Sequence, residues 1–117
     1  MKPENDILLR IQKIVEDNFQ NPYFNVEILS TPLHSNRSSV YRKVKALINI
    51  NTKEYIEEIR LQKAVSMLSN NYLIKEIAYK VGFSDPIYFS KKFKHRFGFS
   101  PTQFKKNEME QNPFVSV

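Results

Sequence analysis

The 117-residue sequence contains no cysteine, so it can form neither a disulfide nor a thiolate metal site. This absence fits a reducing compartment such as the cytoplasm. No apolar run approaches the ~20 residues of a membrane-spanning helix, so we expect no membrane contact by this segment. The first residues, MKPENDILLR, lack the pattern of a signal peptide. Because Met1 directly precedes a predicted helix, we expect the chain to be part of a longer protein.

The sequence also lacks the features of a catalytic site. There is no glycine-rich phosphate loop, and nothing places Ser, His and Asp as an activated nucleophile. The two histidines, His34 and His95, lie too far apart in the pattern to form a pair of metal ligands. We therefore expect no enzymatic activity, no metal site and no cofactor.

Glycine is scarce, and its two positions are informative. Gly82 and Gly98 both fall within residues 82–101, GFSDPIYFSKKFKHRFGFSP, together with five phenylalanines and a run of lysine and arginine. A core segment would explain the aromatic residues, and a solvated surface would explain the cations. Neither a core segment nor a solvated surface alone explains the aromatic residues and the cations together.

Positive charge is concentrated in two blocks. The net charge is +6, but residues 28–53 carry five cations and residues 86–107 carry six, with no acidic residue in either block. The remainder of the chain therefore has a net charge of −5. Two separated basic blocks suggest two contacts with a polyanion such as nucleic acid.

Apolar residues recur with helical spacing, and no segment shows a sustained period of two. The pattern predicts an all-α fold of seven helices. Asn51 and Glu54 read as a capping box, Ser100 as a cap, and residues 107–117 as a flexible tail. The predicted helices cover about 4–19, 26–31, 37–48, 51–69, 74–81 and 86–97, with a short one from Pro101.

An internal repeat divides the chain. An offset of 49 superposes residues 36–55 on 85–104, and an offset of 48 superposes 26–34 on 74–82. The superposition places Val40 on Phe89, Val44 on Phe93, Arg42 on Lys91 and Lys45 on Lys94. One helix–turn–helix unit therefore occurs twice. We predict a first subdomain at 1–50, a linker helix at 51–69, a second subdomain at 70–106 and the tail at 107–117.

The second unit shows why such a segment suits DNA. Gly82 supplies the turn, where positive φ is cheap without a Cβ. Asp85 can cap the next helix, whose phenylalanines recur every four residues and face the core. Its opposite face carries side chains that can reach base edges and phosphates, because a major groove admits an α-helix.

We take residues 37–48 and 86–97 as two recognition helices. The long helix between the units would span about 16 residues, or ~25 Å at 1.5 Å per residue. When helix widths are added, both recognition helices can reach successive major grooves about 34 Å apart. The candidate base-reading residues are Arg37, Ser38, Ser39, Arg42, Pro86, Ile87, Ser90 and Lys91. The candidate phosphate contacts are Lys43, Lys45, Lys53, Lys92, Lys94 and Arg96.

Less specific interpretations compete with this one. The phenylalanines at 89, 93, 97, 99 and 104 could stack on single strands, but their spacing favours the core. Tyr41 and Tyr88 either pack or reach a phosphate. The basic faces could also meet an acidic protein partner, in an adaptor domain, or belong to an architectural or RNA-binding bundle.

Longer stretches resemble a known family. The segment IKEIAYKVGFSDPIYFSKKFKHRFGFSPTQFKK resembles the C-terminal half of AraC/XylS-type DNA-binding domains, and SNRSSVYRKVKALINI is similar to the family's first recognition helix. The wording HSNRSSVYRKVKAL further resembles the output domains of hybrid two-component regulators of Bacteroides-type bacteria. In such proteins a periplasmic sensor, a histidine kinase and a receiver precede this domain.

The resemblance implies binding to double-stranded promoter DNA as a transcriptional activator, with RNA polymerase as a partner. It also implies a cytoplasmic, monomeric domain in a parent protein that can be dimeric and anchored in the inner membrane. Four residues of the first unit depart from the family pattern: Ser30, Pro32, His34 and Asn49. Either this unit is merely less regular, which we favour, or it is looser and adjusts when DNA arrives.

Overall fold

The computed structural model describes residues 3–33 and 37–111. All regular structure in these two ranges is helical, which confirms the predicted all-α fold of seven helices. The helices are α1 (Pro3–Asn18), α2 (Val26–Ser30), α3 (Arg37–Ile48), α4 (Thr52–Met67), α5 (Ile74–Lys80), α6 (Pro86–Phe97) and α7 (Pro101–Gln111). The chain divides into two compact units, Met1–Ile59 and Arg60–Val117, so the division falls inside α4.

Two helix ends differ from the sequence prediction. α2 ends at Ser30, and Thr31–Leu33 forms a 3-10 turn that includes Pro32. α7 runs to Gln111, so residues 107–111, expected in the flexible tail, are helical. They contain neither glycine nor proline, so no residue in this stretch breaks the helix.

The core of the first unit is mainly aliphatic and draws on four helices. α1 contributes Ile11 and Val15, which lie four residues apart and therefore share one face. α3 contributes Val40 and Val44 with the same spacing. Leu29, Phe24, Tyr55 and Ile56 complete this cluster of buried side chains. The predicted inward face of α3 is thus buried.

Two of the four departures in the first unit are accommodated by local hydrogen bonding and backbone geometry. Ser30 is buried, and its hydroxyl donates to the carbonyl of Val26 at 2.6 Å, so no polar group is left unpaired. Asn49 adopts a left-handed conformation with φ of 59°, which asparagine tolerates better than most residues. Pro32 lies in the 3-10 turn, and His34 lies outside the described residues.

The core of the second unit contains a cluster of aromatic side chains beside buried aliphatic ones such as Leu68 and Ile77. Phe89 and Phe93 are fully buried, with ring centroids 5.8 Å apart. Phe93 also contacts Phe97 at 4.7 Å and meets Phe104 edge-on at 5.7 Å. These geometries are typical of packed aromatic pairs. The expectation that Phe99 also belongs to the core is wrong: its side chain is 48% exposed, because it follows Gly98 in the turn between α6 and α7.

The C-terminal ends of α3 and α6 are fixed by corresponding residues, and the start of α6 is fixed by Asp85. The Asp85 carboxylate accepts from the backbone N–H of Ile87 at 2.9 Å and caps α6. Gly98 ends α6 with φ of 86°, and its N–H donates to the carbonyl of Lys94 at 2.8 Å. Asn49 makes the same bond to Lys45 at 2.9 Å after α3.

The helices that follow also start alike. Asn51 accepts from the N–H of Glu54 at 2.8 Å, and Ser100 accepts from the N–H of Gln103 at 3.2 Å. The Glu54 carboxylate accepts from the side-chain amide of Asn51, and the side-chain oxygen of Gln103 accepts from the backbone N–H of Ser100. The repeat therefore holds for the caps as well as for the core.

Replacing Gly98 tests whether the left-handed turn requires a residue that tolerates positive φ. A Cβ at this position would meet no atom within 4 Å, so the cost of Gly98→Ala is conformational. We expect a loss of about 1 kcal/mol in the free energy of unfolding, measured by urea denaturation followed by circular dichroism. Gly98→Asn is the matched control, because Asn49 already fills the equivalent position. Equal losses for both variants, or none for alanine, would contradict this account.

Candidate nucleic-acid interface

The outer face of α6 is set by what its inner face buries. Phe89 and Phe93 point into the core, so residues on the opposite side of the helix face solvent. Ile87, Lys91 and Lys94 are exposed and follow one another at intervals of four and three residues. They form one stripe that begins in the first turn of the helix. Pro86 and Ser90, the other two base-reading candidates of this helix, are half-buried at its edge.

The outer face of α3 has the same geometry. Ser38, Arg42 and Lys45 are exposed, and they correspond to the stripe of α6 at the offset of 49 residues. Ser39 is half-buried, with its hydroxyl 3.4 Å from an Nη of Arg42. Arg37 is the first residue of α3, and its side chain lies outside the described part of the structure.

The phosphate candidates lie beside these stripes or follow them. Lys43 and Lys53 are exposed, the latter in the first turn of α4. The ammonium of Lys92 lies 5.8 Å from the ring centroid of Tyr88, and the guanidinium of Arg96 lies 4.9 Å from that of Phe97. Cation–π contacts of this kind stabilise an exposed cation by roughly 0.5–1 kcal/mol. They hold both charges along the flank of α6.

The electrostatics of both helices favour an anion. Neither α3 nor α6 contains an acidic residue, whereas each contains four lysines and arginines. Lys94, His95 and Arg96 lie in the last turn of α6, where positive charge also offsets the helix dipole. The cations therefore stabilise the helix end and supply charge for a polyanionic ligand.

One cation of the second basic block has a structural role instead. The ammonium of Lys105 donates to the carbonyl of Asn70 at 3.3 Å and to that of Tyr72 at 3.2 Å. It therefore ties α7 to the segment between α4 and α5. The contacts span 33 and 35 residues of chain, so no local pattern could reveal them.

Sequence reasoning also overlooked His95 as a surface residue. The sequence pattern suggested only a metal ligand at this position, yet His95 is exposed and lies four residues after Lys91. This spacing places it beside the outer stripe of α6. Because the spacing is visible in the sequence, it could have identified His95 as a residue of the outer face. Its counterpart in α3 is Ala46, which is also exposed.

The two tyrosines left open by the sequence differ. Tyr88 is half-buried, and its ring centroid lies 6.1 Å from that of Phe83. Tyr41 is 45% exposed on α3. Tyr88 thus packs against its neighbour, whereas Tyr41 remains accessible to a ligand.

Other kinds of site find little support in the described ranges. No group of three or more histidines, aspartates and glutamates is close enough there to hold a metal ion. Within the same ranges, every helix is too short or too polar to cross a bilayer. Burial raises the pKa of the Tyr55 phenol, which belongs to the core of the first unit.

Comparisons with known proteins agree with this geometry. A family model described as a helix-turn-helix domain matches residues 29–107. Histidine kinase P4 of Formosa agariphila is 39% identical over 109 residues, which cover 92% of this chain and 8% of that protein. The Msm operon regulatory protein of Streptococcus mutans is 36% identical over 104 residues, which cover 88% of this chain and 37% of that protein. The chain thus spans well under half of these relatives.

Solved structures show the same fold. The C-terminal domain of the two-component response regulator YesN from Fusobacterium nucleatum has a TM-score of 0.79 and 30% identity, covering 86% of this chain and 98% of that one. The DNA-binding domain of the transcription factor AdpA, crystallised with a target DNA, has a TM-score of 0.83 and 20% identity. That match covers 91% of this chain and 96% of the AdpA domain, and at this identity it concerns the fold alone.

The role of Lys105 can be separated from that of its neighbour by substitution. Lys105→Met removes a charged donor from two carbonyls, and we expect it to lower the free energy of unfolding by about 1 kcal/mol, after allowance for partial exposure. Lys106→Met is the control, because Lys106 is exposed and substitutions on the surface usually stay within about 0.5 kcal/mol. Urea denaturation measures the free energy of unfolding of both variants. An equal effect of the two substitutions would show that Lys105 acts only through its charge.

Proposed function

The chain belongs to the AraC-type family of helix–turn–helix DNA-binding domains, and from this premise we propose that it binds duplex DNA sequence-specifically through α3 and α6. One observation carries the proposal. Each unit presents a helix whose inner face is fully buried and whose outer face is exposed, basic and free of acidic residues. A face of this kind fits the major groove in shape and in charge.

Four residues lie where a recognition helix reads bases. Ser38 and Arg42 on α3, and Ile87 and Lys91 on α6, occupy corresponding outward positions near the N-terminal half of each helix. The guanidinium of Arg42 can donate two hydrogen bonds to O6 and N7 of one guanine. The ammonium of Lys91 can donate to the same two atoms of a guanine in the other half-site. The remaining candidates at the edges of these faces are Arg37, Ser39, Pro86 and Ser90.

The other cations would contact the sugar–phosphate backbone. Such contacts fix the register of a protein on the duplex and weaken as salt rises, because binding releases condensed counterions. The cations concerned are Lys43, Lys45, Lys53, Lys92, Lys94 and Arg96. Lys105 is not among them, because it is half-buried and its ammonium donates to two backbone carbonyls. Lys45 is exposed and donates to one carbonyl, that of Asn49 at 3.4 Å.

When bound, the two helices would occupy adjacent major grooves of one duplex. α4 has 16 residues and is therefore ~24 Å long, and successive major grooves of one duplex lie roughly 34 Å apart. A single chain can then do what a dimer of single helix–turn–helix domains does. We therefore expect the isolated domain to bind as a monomer.

The parent protein would be a hybrid two-component regulator. The similarity to part of a histidine kinase and to the C-terminal domain of a response regulator supports this assignment. The domain would then lie in the cytoplasm, with the parent anchored in the inner membrane. Activation of transcription would require contact with RNA polymerase.

Selection of bound sites from random duplexes tests the function directly. We expect a consensus with two half-sites about one helical turn apart, and a mobility shift that distinguishes this duplex from a scrambled one at moderate salt. Equal binding to the scrambled duplex would favour an architectural protein. No binding even at low salt would favour an adaptor for an acidic protein.

Arg42→Ala should remove sequence preference from one half-site only. Losing a bidentate contact to guanine costs about 1–3 kcal/mol of discrimination, and the fold should persist because Arg42 is exposed. Footprinting and repeated site selection measure the effect. Arg10→Ala is the matched control, an exposed arginine of the same unit on α1. An unchanged consensus for Arg42→Ala would refute the assigned role.

Lys45→Ala should weaken binding to all sequences alike. If Lys45 neutralises one phosphate, the slope of log affinity against log salt becomes shallower by about 0.9. Fluorescence anisotropy titrations between low and moderate salt give this slope. Lys75→Ala, on the exposed side of α5, serves as the control for loss of net charge alone. Equal slopes for wild type and Lys45→Ala would exclude a phosphate contact.

A further inference from the structure

Ile87 is an exposed aliphatic residue on the outer face of α6. Its side chain is 69% exposed, more than that of Leu73 (60%) in the same unit or Leu9 (55%) in the first. Isoleucine ordinarily gains free energy by burial, and here the fold makes little use of its side chain. Exposure of a single apolar residue is common on protein surfaces, so what points to a ligand is the place of Ile87 on the basic outer face of α6.

The position of Ile87 is well defined. It lies in the first turn of α6 directly after Pro86, and its backbone N–H donates to the Asp85 cap at 2.9 Å. Because it is β-branched, its side chain is largely restricted to one rotamer in a helix. Its methyl groups are therefore presented at a fixed place, and ordering them on binding costs little entropy.

The surroundings of Ile87 favour DNA over an apolar protein surface. Along the same helix follow Lys91, Lys92, Lys94 and Arg96, with no acidic residue. A protein-binding patch would need several contiguous apolar side chains, whereas α6 presents one aliphatic side chain beside cations. An isolated methyl-bearing side chain within a basic stripe suits a groove in which one base carries an apolar group.

Thymine is that base. Its C5-methyl is the apolar feature in the major-groove pattern of the four base pairs, and apolar side chains contact it. The first turn of a recognition helix is the part that meets base edges. We propose that Ile87 packs against a thymine methyl, so that the half-site bound by α6 requires a T·A pair beneath the start of that helix. This inference rests on the proposed function.

The first unit supplies an internal contrast. The position equivalent to Ile87 is Ser38, which is exposed and polar. A serine hydroxyl can hydrogen-bond to several bases and has no preference for a methyl group. The thymine requirement therefore belongs to the α6 half-site, and the half-site of α3 lacks it at the corresponding place.

Removal of a single methyl group tests the proposal. After a consensus duplex has been selected with the wild-type domain, each thymidine of the α6 half-site is replaced in turn by 2′-deoxyuridine, which differs only by the C5-methyl. We expect one replacement to weaken wild-type binding about fourfold, which corresponds to the ~0.8 kcal/mol of one buried methylene-sized group at 1.4 kcal/mol per factor of ten. Fluorescence anisotropy measures the affinities.

The deoxyuridine replacements are repeated with variants of the protein. Ile87→Ser introduces the residue of the first unit and should abolish the difference between thymidine and deoxyuridine, whereas Ile87→Val should retain most of it. Leu73→Ser is the control, since Leu73 is an exposed aliphatic residue of the same unit outside α6. It should leave the difference unchanged. Thermal unfolding verifies that each variant is folded.

The outcomes separate the inference from the proposed function. If wild type binds the consensus but no deoxyuridine replacement weakens it, or if Ile87→Ser shows the same loss as wild type, the thymine contact is wrong while DNA binding stands. If wild type binds no duplex, the proposed function fails and the inference fails with it. Unaltered affinity of Ile87→Ser for the consensus duplex would also overturn the thymine contact, since the side chain would then contribute nothing to DNA binding.

Discussion

The recognition faces depend on one constraint, the complete burial of two side chains four residues apart on the inner side of each recognition helix. Val40 and Val44 are fully buried on α3, as are Phe89 and Phe93 on α6. With 3.6 residues per turn, fixing these positions also fixes which residues face outward. Removing a phenylalanine from such a core costs about 3–5 kcal/mol, so rotation of the helix away from this register is strongly disfavoured. The chemistry of the outer face therefore follows from the packing of the inner one.

The two units meet this constraint with different side chains. In α3 the inward residues are valines, and the remaining space is filled by residues of α1, α2 and α4 such as Ile11 and Leu29. In α6 the inward residues are phenylalanines, which pack on one another and on Phe104 of α7. Other helices contribute to the core of the second unit as well, since Leu61 of α4 and Ile77 of α5 are buried there. The sequence divergence between the two units therefore does not alter the arrangement of their outward residues.

Much of this arrangement was predictable because it is encoded locally. The periodicity of apolar residues located all seven helices, and the caps at Asp85 and Gly98 set the bounds of α6. Local patterns failed where distant parts of the chain meet. The bonds from Lys105 to Asn70 and Tyr72 cross more than thirty residues, so the structural role of this lysine of the second basic block could not be predicted from the local sequence.

Other errors had local causes. Phe99 follows the left-handed Gly98, and this turn leaves its ring half exposed, although the spacing of phenylalanines suggested a core position. The end of α7 was placed too early because polar residues alone do not stop a helix. The candidate base contacts depend on helical faces that the sequence did predict. The bases that these residues contact depend on the operator sequence, which the amino-acid sequence does not contain.

The difference between the two outer faces bears on how the domain would be oriented on DNA. Arg42 and Lys91 occupy equivalent positions, but a guanidinium offers a planar, two-pronged donor and an ammonium a flexible point charge. Ser38 and Ile87 differ in the same way, one polar and one apolar. A symmetric dimer reads two identical half-sites and binds equally well in either direction. A single chain with two unlike faces reads two unlike half-sites, so one direction of binding is favoured over the other. Under the proposed contact with RNA polymerase, such directionality would be an advantage of carrying both units in one chain.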